Sequence, residues 1–339
     1  MTTVLVTGGE GYLGTVLVPM LLKRGYRVVS YDARIHPNHP PQLIRHGYWR
    51  ESGNMCNGPH MMAAVNEADA VIHLGGIVGD AACAADEGHS CDVNVSATKE
   101  ILGWMANSGK HIVYASSCSV YGASDTELLT EDSPLNPVSA YAKQRIACED
   151  MITATEGIEA VVVRFATLYG VSPRMRFDLA INIFARDAVI KKPSIVTIQG
   201  GEHYRPFCHV SDAARAVIGC LERGAPGEVY NVGCDSENYQ MRAVKGVIEK
   251  VFPDIDVYVN EAATDVRSYH VSFEKIFREL KFQPMRNITY GLLEVAKFCR
   301  AIEHHVQLGL VPPLDSTHWC NYRPKPDITP PCMAHVTEA

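Results

Sequence analysis

The 339-residue chain lacks any run of eighteen consecutive apolar residues, which argues against a transmembrane helix. It also lacks a Cys-x-x-Cys pair, although eleven cysteines are a high and odd count. An apolar, strand-like run already begins at Val4, which leaves no room for an amino-terminal signal peptide. Scattered cysteines without an export signal are typical of reduced thiols. We therefore expect a cytoplasmic protein.

Clusters of basic residues are also missing. The 31 Lys and Arg residues are scattered among 38 Asp and Glu residues, and the net charge is −7. This pattern argues against a nucleic-acid-binding surface. Histidines and cysteines crowd the end of the chain, but their spacing fits no zinc pattern, so we expect no metal site at His304, His305, His318, Cys320, Cys332 or His335.

Short apolar runs rich in β-branched residues alternate with stretches of helical periodicity. The strand-like runs are 4–7, 27–31, 70–74, 111–116 and 160–165, and the helical stretches are 15–24, 60–67, 92–108 and 139–156. Continuous apolar strands are typical of parallel sheets that are covered on both faces. The alternation predicts an α/β fold with a Rossmann-type, doubly wound parallel sheet.

The alternation loosens after about residue 170, which predicts a second, smaller and interleaved domain. We assign residues 1–170 to a cofactor-binding domain, with returning segments near 210–235, and residues 171–302 mainly to a substrate domain. The tail, 303–339, contains Pro312-Pro313, Pro324, Pro326 and Pro330-Pro331. Proline removes a backbone donor, so regular helix is not expected there.

A glycine-rich turn follows the first predicted strand. Glycines recur at Gly8, Gly11 and Gly14, and a predicted helix begins at Thr15. Such a turn lets the backbone approach a pyrophosphate, and the helix N-terminus presents N–H groups to it. The spacing alone is a weak signal, but its position between a strand and a helix supports a dinucleotide site.

Asp32 ends the second predicted strand, about twenty residues past the turn. A carboxylate at this place suits the two hydroxyls of an NAD ribose and repels the 2′-phosphate of NADP. The sequence therefore predicts NAD as the cofactor.

A second group of polar residues follows the fourth strand, which ends in Ser116 and Ser117. Tyr141 opens a predicted helix, and Arg145 lies one turn later on the same face. A nearby cation favours the phenolate form of a tyrosine, which can then exchange a proton with a hydroxyl of the substrate. Ligands of such sheets lie outside the carboxyl ends of the strands, which is where these residues are expected.

These motifs resemble the extended short-chain dehydrogenase/reductase family, in its branch of NAD-dependent nucleotide-sugar epimerases and dehydratases. Over residues 3 to 300, the resemblance rests on the glycine turn, 69–76, Asn94-Val95, Ser116-Ser117, 120–122, Tyr141, 205–212 and 267–272. In this order and spacing the set is specific. It implies that the substrate is a nucleotide-diphosphate sugar.

The resemblance assigns roles to individual residues. Residues that would bind NAD are Gly8, Gly11, Tyr12, Leu13 and Gly14 at the pyrophosphate, Asp32 and Asn54 at the adenosine, and Leu74, Gly75, Gly76, Asn94, Ser116, Tyr141, Arg145 and Phe165 along the rest of the cofactor. Residues that would bind substrate are Ser117, Cys118, Thr167, Arg174, Arg176, Arg205 and Arg267, with Arg205 and Arg267 on the diphosphate. Ser117, Tyr141 and Arg145 would form the catalytic unit, with Tyr141 as the base.

Three positions depart from the usual pattern of the family. Arg145 stands where the family usually has Lys, and arginine keeps the charge but does not readily release a proton. Asn54 replaces a usual Asp, and Thr167 replaces a frequent Asn. Arg145 therefore puts a proton relay through that position in doubt, and Thr167 does so for the pose of the sugar.

The residues after Ser117 narrow the reaction. The resemblance places an Asp-Glu pair there in 4,6-dehydratases, but this chain has Cys118-Ser119. The leading interpretation is a 4-epimerase-like enzyme that oxidises and re-reduces C4 of the sugar. A 4-dehydrogenase or 4-ketoreductase is the alternative, and an NAD-binding sensor or scaffold without catalysis is the alternative of another class.

Relatives of this type commonly dimerise through the helices that correspond to 92–108 and 139–156. Both segments carry apolar residues suited to a four-helix bundle, namely Val95, Ile101, Leu102, Met105, Ile146 and Met151. We therefore predict a homodimer.

Overall fold

The computed structural model of the chain describes residues 1–33, 47–124, 128–190, 194–263 and 265–307. Its strands in chain order are β1 (Thr3–Thr7), β2 (Arg27–Asp32), β3 (Tyr48–Ser52), β4 (Ala70–His73), β5 (His111–Ser117), β6 (Glu159–Phe165), β7 (Thr167–Tyr169), β8 (Ile195–Gln199), β9 (Tyr204–His209), β10 (Val229–Val232), β11 (Asn238–Gln240) and β12 (Asp256–Asn260).

Seven of these strands form one sheet in the order β10-β6-β5-β4-β1-β2-β3, and all of its pairings are parallel. The order reverses at β1, whose neighbours are β2 and β4. In sheets of this kind ligands bind beyond the carboxyl ends of the strands, at the point of reversal. The predicted α/β fold with a Rossmann-type parallel sheet is confirmed.

Two smaller sheets, β11-β9-β7 and β12-β8, are formed by strands from residue 167 onward. The helices are α1 (Gly14–Lys23), α2 (Gly58–Glu67), α3 (Asp80–Ala85), α4 (Glu87–Cys91), α5 (Ala97–Met105), α6 (Ala140–Ala154), α7 (Ala180–Ile190), α8 (Val210–Arg223), α9 (Met241–Val251), α10 (Glu274–Leu280) and α11 (Ile288–Gln307). None of these helices, within the described ranges, is long and apolar enough to span a membrane.

The core of the main sheet follows directly from the apolar strands. In β1, Val4 and Val6 pack into one apolar cluster and Leu5 into another, and all three are fully buried. Successive side chains of a strand point to opposite faces, so two clusters mean that both faces of the sheet are covered. Burial of one such side chain contributes roughly 1.5–3 kcal/mol.

Some predicted boundaries were wrong. The predicted helix 92–108 is divided into a π-helix, Asp92–Ser96, and α5. Helix α11 continues to Gln307, into the segment where no regular helix is expected, while residues 308–339 and their cysteines and histidines lie outside the described residues. Strand β3 was missed because the short Tyr-Trp-Arg-Glu-Ser segment is a mostly polar edge strand.

Candidate active site

The glycine turn leaves β1 at the point where the strand order reverses. Gly8 has a φ of +69°, which a side chain would strain, and a Cβ at Gly8 would lie 2.9 Å from the Cα of Gly75. A Cβ at Gly14 would collide with the carbonyl oxygen of Gly8. No described side chain caps the N-terminus of α1. The turn is therefore a closely packed cradle in front of a helix N-terminus, which suits a pyrophosphate.

Tyr12 and Leu13, the two residues before α1, are both buried. The Tyr12 hydroxyl donates to the carbonyl of Gly170 at 2.6 Å and accepts from the Asn182 amide at 3.2 Å. Burial raises the pKa of Tyr12 well above its usual range. Its hydroxyl thus ties the glycine turn to the segment after β7, so that only the backbone of Tyr12 can serve the predicted phosphate contact.

Asp32 lies half-buried at the end of β2, beside the glycine turn. Its carboxylate accepts from the backbone N–H of Glu10 at 3.1 Å. The Glu10 carboxylate turns away from this contact, pairing with Arg50 at 2.5 Å and accepting from the Tyr48 hydroxyl at 2.7 Å. Asp32 is therefore held at the rim of the cradle, where an adenosine ribose is expected, by a contact that the sequence did not predict.

Asn54, Leu74 and Gly75 continue this rim. The exposed Asn54 uses its side-chain oxygen to accept from the backbone N–H of Cys56 at 3.0 Å. A Cβ at Gly75 would collide with the end of the Met55 side chain, which would have to shift to make room for it. Half-buried Leu74 precedes it in the same segment.

A chain of hydrogen bonds fixes the segment after β4. The N–H of Gly75 donates to the Thr7 hydroxyl at 3.1 Å, and the Thr7 hydroxyl lies 2.6 Å from Nδ1 of His73. Nε2 of His73 lies 2.9 Å from the Thr98 hydroxyl, which itself donates to the carbonyl of Asn94 at 2.6 Å. Because that carbonyl can only accept, the chain is consistent with a neutral His73 that carries its proton on Nε2. Burial, together with the charge of Arg145, lowers the pKa of His73 to about 3.

Asn94, on the π-helix, is buried beside the segment that follows β4. Its amide oxygen accepts from the N–H of Ile77 at 2.8 Å, and its amide nitrogen donates to Gln144 of α6 at 2.7 Å. A Cβ at Gly76 would lie 2.6 Å from the Asn94 oxygen and 2.9 Å from Nη2 of Arg145. Gly76, Asn94 and Arg145 are thus brought together, as the sequence predicts for one end of a cofactor site.

Tyr141 and Arg145 lie on the first turns of α6. Ser139 caps this helix, since its hydroxyl accepts from the N–H of Ala142 at 3.2 Å. The guanidinium carbon of Arg145 lies 5.0 Å from the centre of the half-buried Tyr141 ring. Nη1 of Arg145 donates to the Tyr114 hydroxyl at 3.0 Å and to the carbonyl of Ala115 at 3.2 Å, which ties α6 to β5 just before Ser117.

Arg145 is a buried cation with unused donors. It is 3% exposed, and within the described residues its Nε and Nη2 have no hydrogen-bond partner and no carboxylate forms an ion pair with it. Each buried donor without a partner costs roughly 1–3 kcal/mol. Together with the glycine cradle, these donors fit the ribose hydroxyls of a bound dinucleotide, which are hydrogen-bond acceptors.

The two serines at the end of β5, Ser116 and Ser117, have different surroundings. The Ser117 hydroxyl, half-buried, accepts from the N–H of Ser119 at 3.2 Å, and Ser117 pairs in register with Phe165 of β6. The Ser116 hydroxyl instead donates to the buried carboxylate of Glu149, which pairs with Arg164 at 2.7 Å. Ser116 is therefore available to a cofactor through its backbone only.

Cys118, predicted at the substrate, is 1% exposed. Its thiol donates to the carbonyl of Arg164 at 3.3 Å, and burial raises its pKa well above the usual range. The structure thus places the Cys118 thiol in the core, where it has no open surface for a sugar, whereas Ser117 at the same strand end is half-buried. Thr167, half-buried, opens β7 just beyond β6.

The arginines predicted at the diphosphate meet around one carboxylate. Arg205 donates to Asp265 at 2.7 Å and to the carbonyl of Arg267 at 2.6 Å, and Arg267 donates to Asp265 at 2.6 Å. Arg267 also pairs with Asp80 at the start of α3, and Asp80 accepts from the Ser139 hydroxyl at 2.6 Å. Hydrogen bonds from Arg267 and the charge of Arg205 hold the pKa of Asp265 well below its usual range, although burial opposes them.

Arg174 and Arg176 behave differently from that pair. Arg174 is buried and donates to the carbonyl of Met175 at 3.1 Å, and Arg176 is bound to Asp178 at 2.9 Å through Nε.

Within the described residues no group of three His, Cys, Asp or Glu side chains could hold a metal ion.

Sequence reasoning missed the residues that hold the site from behind. Tyr114, Asp265, Asp80 and the Glu149–Arg164 pair reach it across many positions of the chain, so no local spacing signals them. Ser139 is different, because a serine just before a helical stretch is a typical N-cap, and this local signal marks where α6 begins.

Comparison with known proteins agrees with this geometry. The sequence model of the NAD dependent epimerase/dehydratase family matches residues 4–233. The chain is 29% identical to a dTDP-glucose 4,6-dehydratase of Streptomyces griseus in an alignment of 308 positions, and the alignment covers 86% of this chain and 92% of that protein. It is 26% identical to UDP-arabinose 4-epimerase 1 of Arabidopsis thaliana over 338 residues, covering 87% of this chain and 78% of the relative.

A solved structure has the same fold. MoeE5 in complex with UDP-glucuronic acid and NAD superposes with a TM-score of 0.76 at 26% identity, over 88% of this chain and 99% of MoeE5. The match of the family model covers about two thirds of the chain and includes the glycine turn, Ser117 and Tyr141. The chain therefore belongs to the NAD dependent epimerase/dehydratase family and is an NAD-dependent enzyme of the extended short-chain dehydrogenase/reductase type.

Proposed function

We propose that the enzyme acts on C4 of a nucleotide-diphosphate sugar and is 4-epimerase-like. The observation that carries the proposal is the pairing of Tyr141 with Arg145, a buried guanidinium that no described carboxylate neutralises. A cation beside the phenol can stabilise the negative charge that develops while the phenol oxygen exchanges a proton with a sugar hydroxyl. The names of its relatives, a UDP-arabinose 4-epimerase and a dTDP-glucose 4,6-dehydratase, support this class of substrate.

The chemistry that NAD would supply when bound is transfer of a hydride from C4 of the sugar and its return to the opposite face of the resulting ketone. Gly8, Gly11 and Gly14 would hold its pyrophosphate and Asp32 its adenosine ribose, and Arg145 would hold the second ribose. Ser117 would orient the C4 oxygen, and Tyr141 would take its proton and give it back.

Arg205 and Arg267 would bind the diphosphate of the substrate, because a guanidinium can give two parallel hydrogen bonds to phosphate oxygens. Asp265 holds both guanidinium groups side by side. This arrangement supports a diphosphate-linked substrate, since a diphosphate brings negative charge to the two guanidinium groups and a free neutral sugar does not.

Epimerisation is favoured over dehydration by what surrounds Ser117. Expulsion of water needs an acid next to the sugar, but the following residues are a core thiol, Cys118, and Ser119. The nearby carboxylate of Glu149 is buried and bound to Arg164 and Ser116. Neither the residues that follow Ser117 nor Glu149 therefore supplies a free acid at the end of β5.

We also propose a homodimer built on α5 and α6, on a smaller apolar surface than the sequence predicts. Ile101, Leu102 and Met105 are fully or almost fully buried in the core of the protomer, so they are not available to a partner. Val95, Ile146 and Met151 remain partly exposed, and so does Trp104 on α5. Sedimentation at micromolar concentration would test this: a dimer supports the proposal and a monomer contradicts it.

Product analysis tests the proposed reaction. Purified protein is given UDP- and dTDP-linked hexoses and pentoses, with and without added NAD, and the sugars are identified by NMR. A C4 epimer formed without added NAD and without net NADH supports the proposal. Accumulation of NADH in step with product would indicate a 4-dehydrogenase, and NAD binding without any turnover would indicate a sensor or scaffold.

A further inference from the structure

Two buried arginines, Arg145 on α6 and Arg164 on β6, each donate to a tyrosine hydroxyl, but within the described residues only Arg164 is paired with a carboxylate. Nη1 of Arg145 donates to the Tyr114 hydroxyl at 3.0 Å, and Nη1 of Arg164 donates to the Tyr121 hydroxyl at 3.1 Å. Each guanidinium also lies near the ring of its tyrosine, at 5.8 Å and 5.3 Å from the ring centre. Arg164 is neutralised by Glu149, whereas Arg145 has no carboxylate partner in the described part of the chain.

The donors of Arg145 are divided between protein and open positions. Nη1 is used twice, on the Tyr114 hydroxyl and on the carbonyl of Ala115. Nε and Nη2 are buried and find no partner among the described residues, and Nη2 faces Gly76, where a Cβ would lie 2.9 Å away. The protein thus holds the guanidinium through Nη1 and leaves two neighbouring donors, Nε and Nη2, of which Nη2 lies next to Gly76.

We infer that Tyr114 is a positioning residue for the cofactor: by accepting from Nη1, it orients Nε and Nη2 of Arg145 as a two-pronged donor to the hydroxyls of the ribose nearest Tyr141. A flexible lysine ammonium is a point charge that needs no such anchor, but a planar guanidinium donates in directions fixed by its orientation. Tyr114 is fully buried and its ring cannot reach the cofactor through any open surface. Its effect on NAD must therefore pass through Arg145. The inference rests on the proposed placement of NAD beside Arg145.

A double-mutant cycle on NAD affinity tests the inference. The dissociation constant for NAD is measured by calorimetry for the unaltered protein, Tyr114→Phe, Arg145→Lys and the double variant. We expect Tyr114→Phe and Arg145→Lys each to weaken NAD binding about 10-fold, because each loses the oriented pair of donors. In the Arg145→Lys background, Tyr114→Phe should change the constant by less than about 2-fold.

Tyr121→Phe is the matched control. It removes the same kind of hydrogen bond from Arg164, whose carboxylate partner stays in place, and it should leave the NAD dissociation constant unchanged. Thermal unfolding without NAD measures whether each variant is folded. If Tyr114→Phe is unfolded at the temperature of calorimetry, the cycle is measured at a lower temperature at which all four proteins are folded. Arg145→Gln, which should weaken NAD binding more than Arg145→Lys, tests the placement of NAD beside Arg145 separately.

Independent, additive effects of the two substitutions would overturn the inference, and so would equal losses for Tyr114→Phe and Tyr121→Phe. Unchanged NAD affinity in Tyr114→Phe would overturn it while leaving the proposed site intact. Unchanged affinity in both Arg145→Lys and Arg145→Gln would instead show that the proposed cofactor placement is wrong.

Discussion

The guanidinium carbon of Arg145 lies 5.0 Å from the centre of the Tyr141 ring, one helical turn away on α6. Arg145 is buried, and within the described residues no carboxylate competes with Tyr141 for its charge. The two side chains that the helical spacing pairs are thus neighbours in the folded chain, and both lie on the first turns of α6.

Removing the Tyr141 hydroxyl should abolish most of the activity. Tyr141→Phe keeps the ring beside Arg145 but cannot exchange a proton, so we expect turnover of an accepted nucleotide sugar to fall by about 10²-fold or more. NAD should remain bound, which calorimetry would measure. Tyr258→Phe is the control, because this exposed tyrosine lies on β12, which belongs to a separate two-stranded sheet. Unchanged turnover in Tyr141→Phe would exclude Tyr141 as the base.

Neutral His73 should make the fold sensitive to acid. The pKa of His73 is about 3 in the folded chain because of burial and the charge of Arg145, against about 6.5 when unfolded. The unfolded chain therefore binds the extra proton first, and stability is lost as pH falls from about 6.5 toward 3. At pH 5 we expect a loss of about 2 kcal/mol relative to pH 7.5.

The comparison for His73 is His73→Asn, which can still donate and accept but does not titrate. Urea unfolding at pH 5 and 7.5 would measure the difference in free energy for both proteins. The prediction holds if the substituted protein loses less stability on acidification than the unaltered one. Equal losses would mean that other groups account for the acid sensitivity.

Asp32 should decide between the two nicotinamide cofactors. The carboxylate accepts ribose hydroxyls and repels a 2′-phosphate, so Asp32→Ala should weaken NAD binding about 10-fold and bring NADP closer to it in affinity. Asp69→Ala is the control, because Asp69 lies at the amino-terminal ends of the strands, where it accepts from the N–H of Thr3 at 2.7 Å. Tighter binding of NADP than of NAD by the unaltered protein would contradict the assignment.

Asp265 should affect substrate binding more than the chemical step. It holds both Arg205 and Arg267, and Asp265→Asn loosens the two guanidinium groups without removing them. Because the diphosphate is remote from the reacting carbon, we expect KM to rise about 10-fold while kcat changes by less than about 3-fold. Glu222→Gln serves as the control, since Glu222 binds Arg24 through both oxygens at the surface. A fall in kcat at constant KM would contradict the proposal that Arg205 and Arg267 bind the diphosphate.

The elements around the cofactor could be predicted because their signals are local. A strand, a turn with Gly8, Gly11 and Gly14, and a helix occupy one short stretch, and Asp32 ends the next strand. Tyr141 and Arg145 are one turn apart on a helix that Ser139 caps. Backbone sterics and helix periodicity fix such arrangements without reference to the rest of the molecule.

What could not be predicted depends on contacts between distant parts of the chain. Arg145 meets Tyr114 31 positions earlier, and Asp265 meets Arg205 60 positions earlier. Helical periodicity identified Ile101 and Met105 as apolar, but it cannot tell whether they face the core of the protomer or a partner. The resemblance implied that Cys118 binds the substrate, but a motif does not show burial, and the thiol lies against β6.

The fate of the hydrogen on C4 tests the central claim most directly. A substrate that carries deuterium at C4 is converted in ordinary water without added NAD, and the C4 epimer is examined by mass spectrometry and NMR. Transient oxidation and re-reduction at C4 predicts that the epimer keeps its deuterium at that carbon. An epimer in which hydrogen from water replaces the deuterium, or a product that retains a C4 ketone while labelled cofactor accumulates, would contradict the account.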